Sequence, residues 1–127
     1  MTPKETVTAF LAMWQQPGGF AQSIRDYFTP ATVYVNVGMS RTTGIEETIA
    51  WLAESGADPA SFAMRADMLA IAAEGGTVLT ERVDHALGPD GESVGVYPVM
   101  GVFEVAAGKI AAWRDYFDTA GHAQQHQ

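Results

Sequence analysis

Apart from one short alternating stretch at residues 32–37, the spacing of the apolar residues changes once along this chain, and that change constrains the fold more than any other feature. Up to about residue 56, apolar side chains recur at helical spacing; the first set, at i, i+3, i+4 and i+7, is Val7, Phe10, Leu11 and Trp14. From residue 61 onward they alternate with period two, which is typical of strands. Helices followed by consecutive strands predict an α+β fold, with the helices covering one face of a curved sheet.

Local signals predict where the elements begin and end. Thr2 and Glu5 form a T-x-x-E capping box around Pro3, which predicts the start of the first helix. A second short helix over residues 24–28 is expected to stop at Pro30, and a third to lie between two glycines, 44 and 56. One strand is predicted over residues 32–37, and an antiparallel meander over residues 62–72, 77–87, 94–105 and 109–117.

Composition excludes several classes of function. The 127 residues fit one domain, 1–127, and the net charge of −8 would repel a nucleic-acid backbone. The chain has no cysteine, and two of its three histidines, His122 and His126, lie in the last six residues, so a metal centre in the body of the fold is not expected. No run approaches the ~18 apolar residues of a membrane span, and we expect a soluble protein of the cytoplasm with no membrane partner.

Polar residues share strand faces with large apolar ones in three places. Arg82 and Asp84 lie on one face of the strand over 77–87, and Asp115 stands between Trp113 and Phe117 on the last strand. If these faces point to the concave side of one sheet, five polar residues meet inside an apolar cup: Tyr34, Asn36, Arg82, Asp84 and Asp115.

Such a meeting has a chemical consequence. Two carboxylates that share one guanidinium in a low-dielectric cup do not both ionise freely, so their pKa values separate and one stays protonated. That is an arrangement for simultaneous general-acid and general-base catalysis, with Arg82 fixing the spacing of Asp84 and Asp115. The residues alone leave open that Arg82 makes a structural salt bridge and that both aspartates lie at the rim.

Several blocks of the sequence resemble the limonene-1,2-epoxide hydrolase family. They are TERVD at 80–84, GVFEV at 101–105, GKI at 108–110, WRDYFD at 113–118 and the Tyr-x-Asn motif YVN at 34–36, followed by Gly44. The resemblance covers nearly the whole chain. It implies a cone-shaped α+β fold of the nuclear-transport-factor-2-like type, with a mixed, mostly antiparallel sheet, and a homodimer.

The resemblance also implies an activity, the opening of a small apolar epoxide by water in one step to give a vicinal diol. Asp115 would take a proton from a water held by Tyr34 and Asn36, Asp84 would protonate the epoxide oxygen, and Arg82 would bridge the two aspartates. No metal, nucleotide or covalent intermediate is required, so no cofactor is expected.

Other residues are candidates for the substrate pocket or for surfaces. We expect a substrate-binding wall that includes Trp113, Phe117, Tyr97, Val99 and Met64. Met68 and Met100 are further pocket candidates, although methionines more often fill gaps in a core. His85 faces away from Asp84 and is expected at a surface or interface, as are Arg114, Tyr116 and Asp118, where the sheet would meet a second subunit.

Two other functions use similar residues. An isomerase or cyclase of the same superfamily would use one aspartate to abstract a proton beside a carbonyl and a tyrosine to stabilise the oxyanion. A non-catalytic module would simply enclose a small apolar molecule. An arginine held between two carboxylates favours the epoxide hydrolase, because an enolising site does not need it.

Overall fold

The computed structural model describes residues 1–120, which form three helices on one face of a six-stranded sheet. The helices are α1 (Pro3–Ala12), α2 (Gly19–Tyr27) and α3 (Ile45–Glu54), with a single 3-10 turn at Met13–Gln15. The strands are β1 (Phe28–Asn36), β2 (Ser40–Thr43), β3 (Ala63–Glu74), β4 (Thr77–Leu87), β5 (Ser93–Ala106) and β6 (Lys109–Phe117).

The sheet has the strand order β2-β1-β6-β5-β4-β3. Strands β3 to β6 form the predicted antiparallel meander, with bounds within two residues of those expected. β1 pairs with β6 in parallel, which makes the sheet mixed and sets Tyr34 opposite Trp113 and Asn36 opposite Asp115. This register brings the first strand of the chain beside the last one.

The start of α1 is confirmed. The backbone N–H of Glu5 donates to the Thr2 hydroxyl at 3.1 Å, and the backbone N–H of Thr2 donates to the Glu5 carboxylate at 2.8 Å. The predicted stripe of the first helix is buried from Val7 to Trp14. These side chains pack on the inner face of the sheet, where Phe10 meets the Trp113 ring edge-on at 5.2 Å.

Between α2 and α3, one expectation was wrong and one strand was not predicted. α2 ends at Tyr27, and Phe28 already belongs to β1, so Pro30 lies inside a strand instead of stopping a helix. The pairing of β1 with β6 shifts between Phe28 and Val33, and a proline is tolerated at such an irregularity because no regular ladder bond is lost. The edge strand β2 was not predicted, because its four residues, SRTT, carry no apolar alternation.

Residues 121–127, which include His122 and His126, lie outside the described residues. Within residues 1–120, no helix is long and apolar enough to cross a membrane. The cytoplasmic location stays a prediction.

Candidate active site

A cavity of about 670 Å³ opens between the helices and the inner face of the sheet. Of the five predicted polar residues, four line it: Tyr34, Asn36, Asp84 and Asp115. The fifth, Arg82, is fully buried beside Asp84 and Asp115. The structure therefore brings together all five residues, which three different strands contribute.

Arg82 binds both aspartates at once. Its Nε and Nη2 donate to the two carboxylate oxygens of Asp84 at 3.1 and 2.8 Å, and its Nη1 and Nη2 donate to those of Asp115 at 3.3 and 2.9 Å. Nη1 also donates to the Thr80 hydroxyl at 2.9 Å, and Thr80 in turn donates to the carbonyl of Gly101. The guanidinium is thus saturated with acceptors, and its position fixes that of both carboxyl groups.

The charge of Arg82 is secure in this setting. Burial by itself lowers the pKa of Arg82, but the charges and hydrogen bonds of Asp115 and Asp84 outweigh it, so the pKa is raised. The guanidinium therefore stays a cation and takes no part in proton transfer.

Asp115 has a second fixed donor. The indole Nε1–H of Trp113 donates to Asp115 Oδ1 at 2.7 Å. The Trp113 ring is itself held between Tyr34, stacked at 4.0 Å, and Phe103, stacked at 5.3 Å. Since both rings are its ladder neighbours on β1 and β5, the sheet register sets the direction of this hydrogen bond.

The protonation of Asp115 reflects opposing effects. The largest effect is burial, which raises the pKa of this carboxyl, and the charge of Asp84 raises it as well. The charge and hydrogen bonds of Arg82 and the hydrogen bond of Trp113 lower it. The net result is a raised pKa. A carboxylate with a raised pKa is a stronger base than one in water, which suits general-base catalysis near neutral pH.

Tyr34 and Asn36 form the polar edge of the site on β1. The Tyr34 hydroxyl donates to Asn36 Oδ1 at 3.3 Å, and Asn36 Nδ2 donates to the Ser40 hydroxyl at 3.1 Å. Burial and the nearby charge of Asp115 raise the pKa of Tyr34 far above its usual value, so the phenol stays neutral. Beside Asp115, the phenol oxygen of Tyr34 can accept a hydrogen bond from a water molecule, and the second N–H of the Asn36 amide can donate one to it.

The walls of the cavity are largely aromatic and aliphatic. All five predicted wall residues line it: Met64, Tyr97, Val99, Trp113 and Phe117. Met68 only packs against the core, and Met100 lies half-exposed on the opposite face of the sheet, so neither is a wall residue. The helices supply walls that sequence reasoning missed, chiefly Trp14, Phe20 and Trp51. Their helical spacing indicated burial but not an empty space beside them.

His85 lies on the outer face, as predicted. Its ring nitrogens contact the Ser93 hydroxyl at 2.8 Å and the Asp67 carboxylate at 3.1 Å. Among residues 1–120, no three histidine, aspartate or glutamate side chains are grouped so as to hold a metal ion. The two buried aspartates are engaged by Arg82 instead.

Comparisons with known proteins identify a family and a fold for this chain. The family model of the limonene-1,2-epoxide hydrolase catalytic domain matches residues 1–126. Epoxide hydrolase EphG of Mycobacterium tuberculosis H37Rv is 40% identical over 87 residues, which cover 68% of this chain and 54% of that protein. The chain thus spans about half the length of this curated relative.

Solved structures show the same fold. The structure of an M. tuberculosis LEH-like epoxide hydrolase is 34% identical, with a TM-score of 0.74 over 95% of this chain and 86% of that one. A putative SnoaL-like polyketide cyclase from Jannaschia sp. CCS1 is 20% identical, with a TM-score of 0.71 over 97% of this chain and 90% of that one. An NTF2-like protein of unknown function from Burkholderia pseudomallei K96243 is 17% identical, with a TM-score of 0.75 over 97% and 95%.

The last two structures share the fold alone, and they confirm the expected nuclear-transport-factor-2-like architecture. The family match extends over nearly the whole chain and includes both strands that carry the bridged aspartates. The chain belongs to the limonene-1,2-epoxide hydrolase family.

Proposed function

We propose that this chain, as a single domain over residues 1–127, is a cofactor-independent epoxide hydrolase that adds water to an apolar epoxide. The observation that carries the proposal is the guanidinium of Arg82, which bridges Asp84 and Asp115 beside the cavity. This geometry supports an acid and a base of the same residue type, held at a fixed separation by one cation.

Asp115 is the base in this proposal. It accepts hydrogen bonds from Trp113 and from two nitrogens of Arg82, whereas Asp84 accepts from Arg82 alone among the described residues. Donors favour the ionised form of a carboxyl group, so the additional donor supports the role of Asp115 as the ionised base.

The reaction moves two protons, one from water to Asp115 and one from Asp84 to the epoxide oxygen. A water beside Asn36 and Tyr34 gives a proton to Asp115 while its oxygen bonds to an epoxide carbon, the C–O bond of the ring breaks, and Asp84 protonates the leaving oxygen. Asp84 ends ionised and Asp115 protonated, so the net charge of the two aspartates with Arg82 is zero before and after. One proton passed back from Asp115 to Asp84, directly or through solvent, restores the starting state.

The substrate in this proposal is a small apolar epoxide with a ring or chain that fits aromatic walls. A cavity of about 670 Å³ lies within the range of small-molecule sites, and its polar groups lie at the aspartates and at Tyr34 and Asn36. Both M. tuberculosis relatives are called epoxide hydrolases, which is consistent with this substrate class.

A panel of terpene, cycloalkene and styrene oxides tests the activity. We expect formation of a vicinal diol from at least one of them, and no diol with Asp115→Asn. If every epoxide is unchanged while an enolisable ketone exchanges its α-protons, the isomerase reading replaces this one. If neither substrate reacts but apolar molecules bind, the cavity belongs to a binding module.

We further propose that two copies of the chain associate through the outer face of the sheet. Leu79, Val96, Met100 and Tyr116 are all more than 40% exposed there, and the register places them on the side opposite to the cavity. One pair of opposite charges lies among them, the 2.7 Å contact of Arg114 with Glu104. An apolar sheet face of this kind suits a twofold contact between identical copies.

Light scattering after size-exclusion chromatography tests the dimer. We expect a dimer for the parent chain and a monomer for Met100→Glu, whereas Thr8→Glu, which adds the same charge on the exposed side of α1, should leave the dimer intact. A monomeric parent would contradict the dimer without touching the proposed activity.

A further inference from the structure

Gly101 lies at the centre of the bridged aspartates, although it has no side chain to contribute. It is buried on the inner face of β5, where it pairs with Thr80 of β4 on one side and with Asp115 of β6 on the other. Asn36 of β1 continues the same row beyond Asp115. Four strands thus place one residue each in a line that crosses the polar end of the cavity.

Polar atoms of the neighbouring side chains occupy the space in which a side chain at position 101 would lie. A Cβ on Gly101 would lie 3.0 Å from the Thr80 hydroxyl and closer still to Arg82 Nη1 and Asp115 Oδ1. Real Cβ atoms essentially never approach other atoms so closely, so the guanidinium or the carboxylate would have to move. The need for glycine is one of space, because Gly101 is not among the positive-φ glycines.

The topology explains why the space is needed. Arg82 and Asp115 belong to β4 and β6, which β5 separates, so their backbones are about two strand spacings, roughly 9–10 Å, apart. The Arg82 side chain must therefore cross β5 to reach Asp115. It crosses beside the residue of β5 that has no side chain.

We propose that Gly101 is a positioning residue, whose missing side chain lets Arg82 reach across β5 and hold Asp115. The expected effect of Gly101 on turnover rests on the proposed function. The expected effect on the contact of Arg82 with Asp115 does not. The charged or titratable groups that face Asp115 are Arg82 and Asp84 from β4 and Tyr34 from β1, within the described part of the chain. Displacing Arg82 would remove the cation that offsets the burial of Asp115.

Carbon-detected NMR titration of the Asp115 carboxyl in Gly101→Ala tests the inference, with the signal assigned by its loss in Asp115→Asn. An opposite charge close by lowers a carboxyl pKa by about 1–3, so we expect the Asp115 midpoint to rise by at least about one pH unit in the variant. If the epoxide activity holds, kcat should fall by about 10²-fold with a smaller change in KM, because the catalytic groups move while the apolar walls stay.

Gly95→Ala is the matched control. Gly95 is buried on the same face of the same strand, and the three atoms nearest to a Cβ there belong to the Tyr97 ring and not to Arg82 or Asp115. The control should leave the Asp115 midpoint where it is in the parent. An unchanged midpoint in folded Gly101→Ala would overturn the inference, whether or not the parent hydrolyses an epoxide.

A second measurement covers the case in which Gly101→Ala does not fold. Arg82→Met removes Nη1 and also releases the Asp115 carboxylate from the guanidinium, so both of the closest atoms can move away from the new Cβ. Arg82→Met with Gly101→Ala should therefore unfold within about 2 °C of Arg82→Met alone. If the double variant also fails to fold while Arg82→Met folds, glycine is needed at 101 for the strand itself, and the inference is wrong.

Discussion

Trp113 and Asp115, two residues apart on β6, are joined by a hydrogen bond of 2.7 Å from the indole nitrogen to the carboxylate. Alternate residues of a strand face the same side, so the tryptophan serves both as an apolar wall and as a donor to the proposed base. This contact links the packing of the aromatic core to the protonation of the site.

The first prediction follows from that contact. Asp115 must be ionised to accept a proton from water, so kcat/KM should rise with pH on the acidic side of its pH profile. Because the pKa of Asp115 is raised, the midpoint of this acidic limb should lie above the ~3.9 of an aspartate in water. The Trp113 hydrogen bond lowers that pKa, so Trp113→Phe should move the limb to higher pH.

Trp51→Phe is the control for the pH profile. Trp51 also lines the cavity and meets the Tyr34 ring edge-on at 5.6 Å, but its contact is with the phenol and not with Asp115. Its variant should change KM without moving the limb. A limb at the same pH in Trp113→Phe and in the parent would contradict the role of the indole.

The second prediction concerns the two aspartates. Asp115→Asn and Asp84→Asn should each lower kcat/KM by at least about 10²–10⁴-fold while circular dichroism stays as in the parent, because each removes one half of a coupled proton transfer. The double variant should be little worse than either single one, since residues that act as a unit are not additive. Asp67→Asn, in the outer-face pair with Arg65, should leave turnover unchanged.

The third prediction concerns the shape of the cation. Arg82→Lys keeps the charge, but an ammonium cannot present a planar fork to two carboxylates, so activity should fall by at least about 10²-fold. The free energy of unfolding of Arg82→Lys should be lower than that of the parent. The loss should be smaller than the ~3–5 kcal/mol that is typical of breaking a buried ion pair, because the charge is kept. Arg65→Lys, in a half-exposed pair, should change both quantities little. Equal activity in Arg82→Lys and the parent would reduce the bridge to a structural contact.

The fourth prediction concerns the water. Tyr34→Phe and Asn36→Ala should each lower turnover without abolishing it, because one proposed partner of the water is lost and two remain. Steady-state rates on the best epoxide of the panel check this result. Full loss in either variant, with the fold kept, would mean that the residue does more than orient the water.

How far the sequence predicts this molecule depends on whether a feature is local. The capping box of Thr2 with Glu5 and the period-two faces of β4 and β6 are local patterns, and the structure follows them. The parallel pairing of β1 with β6 is set by contacts about 80 residues apart, and only the family resemblance implied a mixed sheet. The prediction that a helix stops at Pro30 was wrong because a proline is tolerated in a strand where the pairing around it is irregular, and the local sequence does not show that irregularity.

The same distinction applies to the site. The alternation of polar and apolar residues predicts which side chains share a face, and five of them do meet. The helical walls, such as Trp14 and Trp51, could not be told from core residues, because a helix period shows burial but not the presence of a cavity. The role of Gly101 leaves no side-chain signal and emerges only from the contacts of its neighbours.

The central claim, that water and not the protein attacks the epoxide, is tested most directly by one turnover in heavy-oxygen water. With unlabelled enzyme in excess over substrate, attack by a water activated by Asp115 gives a diol that carries one solvent oxygen in that first turnover. Attack by the carboxylate of Asp115 or Asp84 would form an ester whose hydrolysis places an enzyme oxygen in the product. We expect the singly labelled diol from the start; an unlabelled diol in the first turnover would contradict the one-step mechanism.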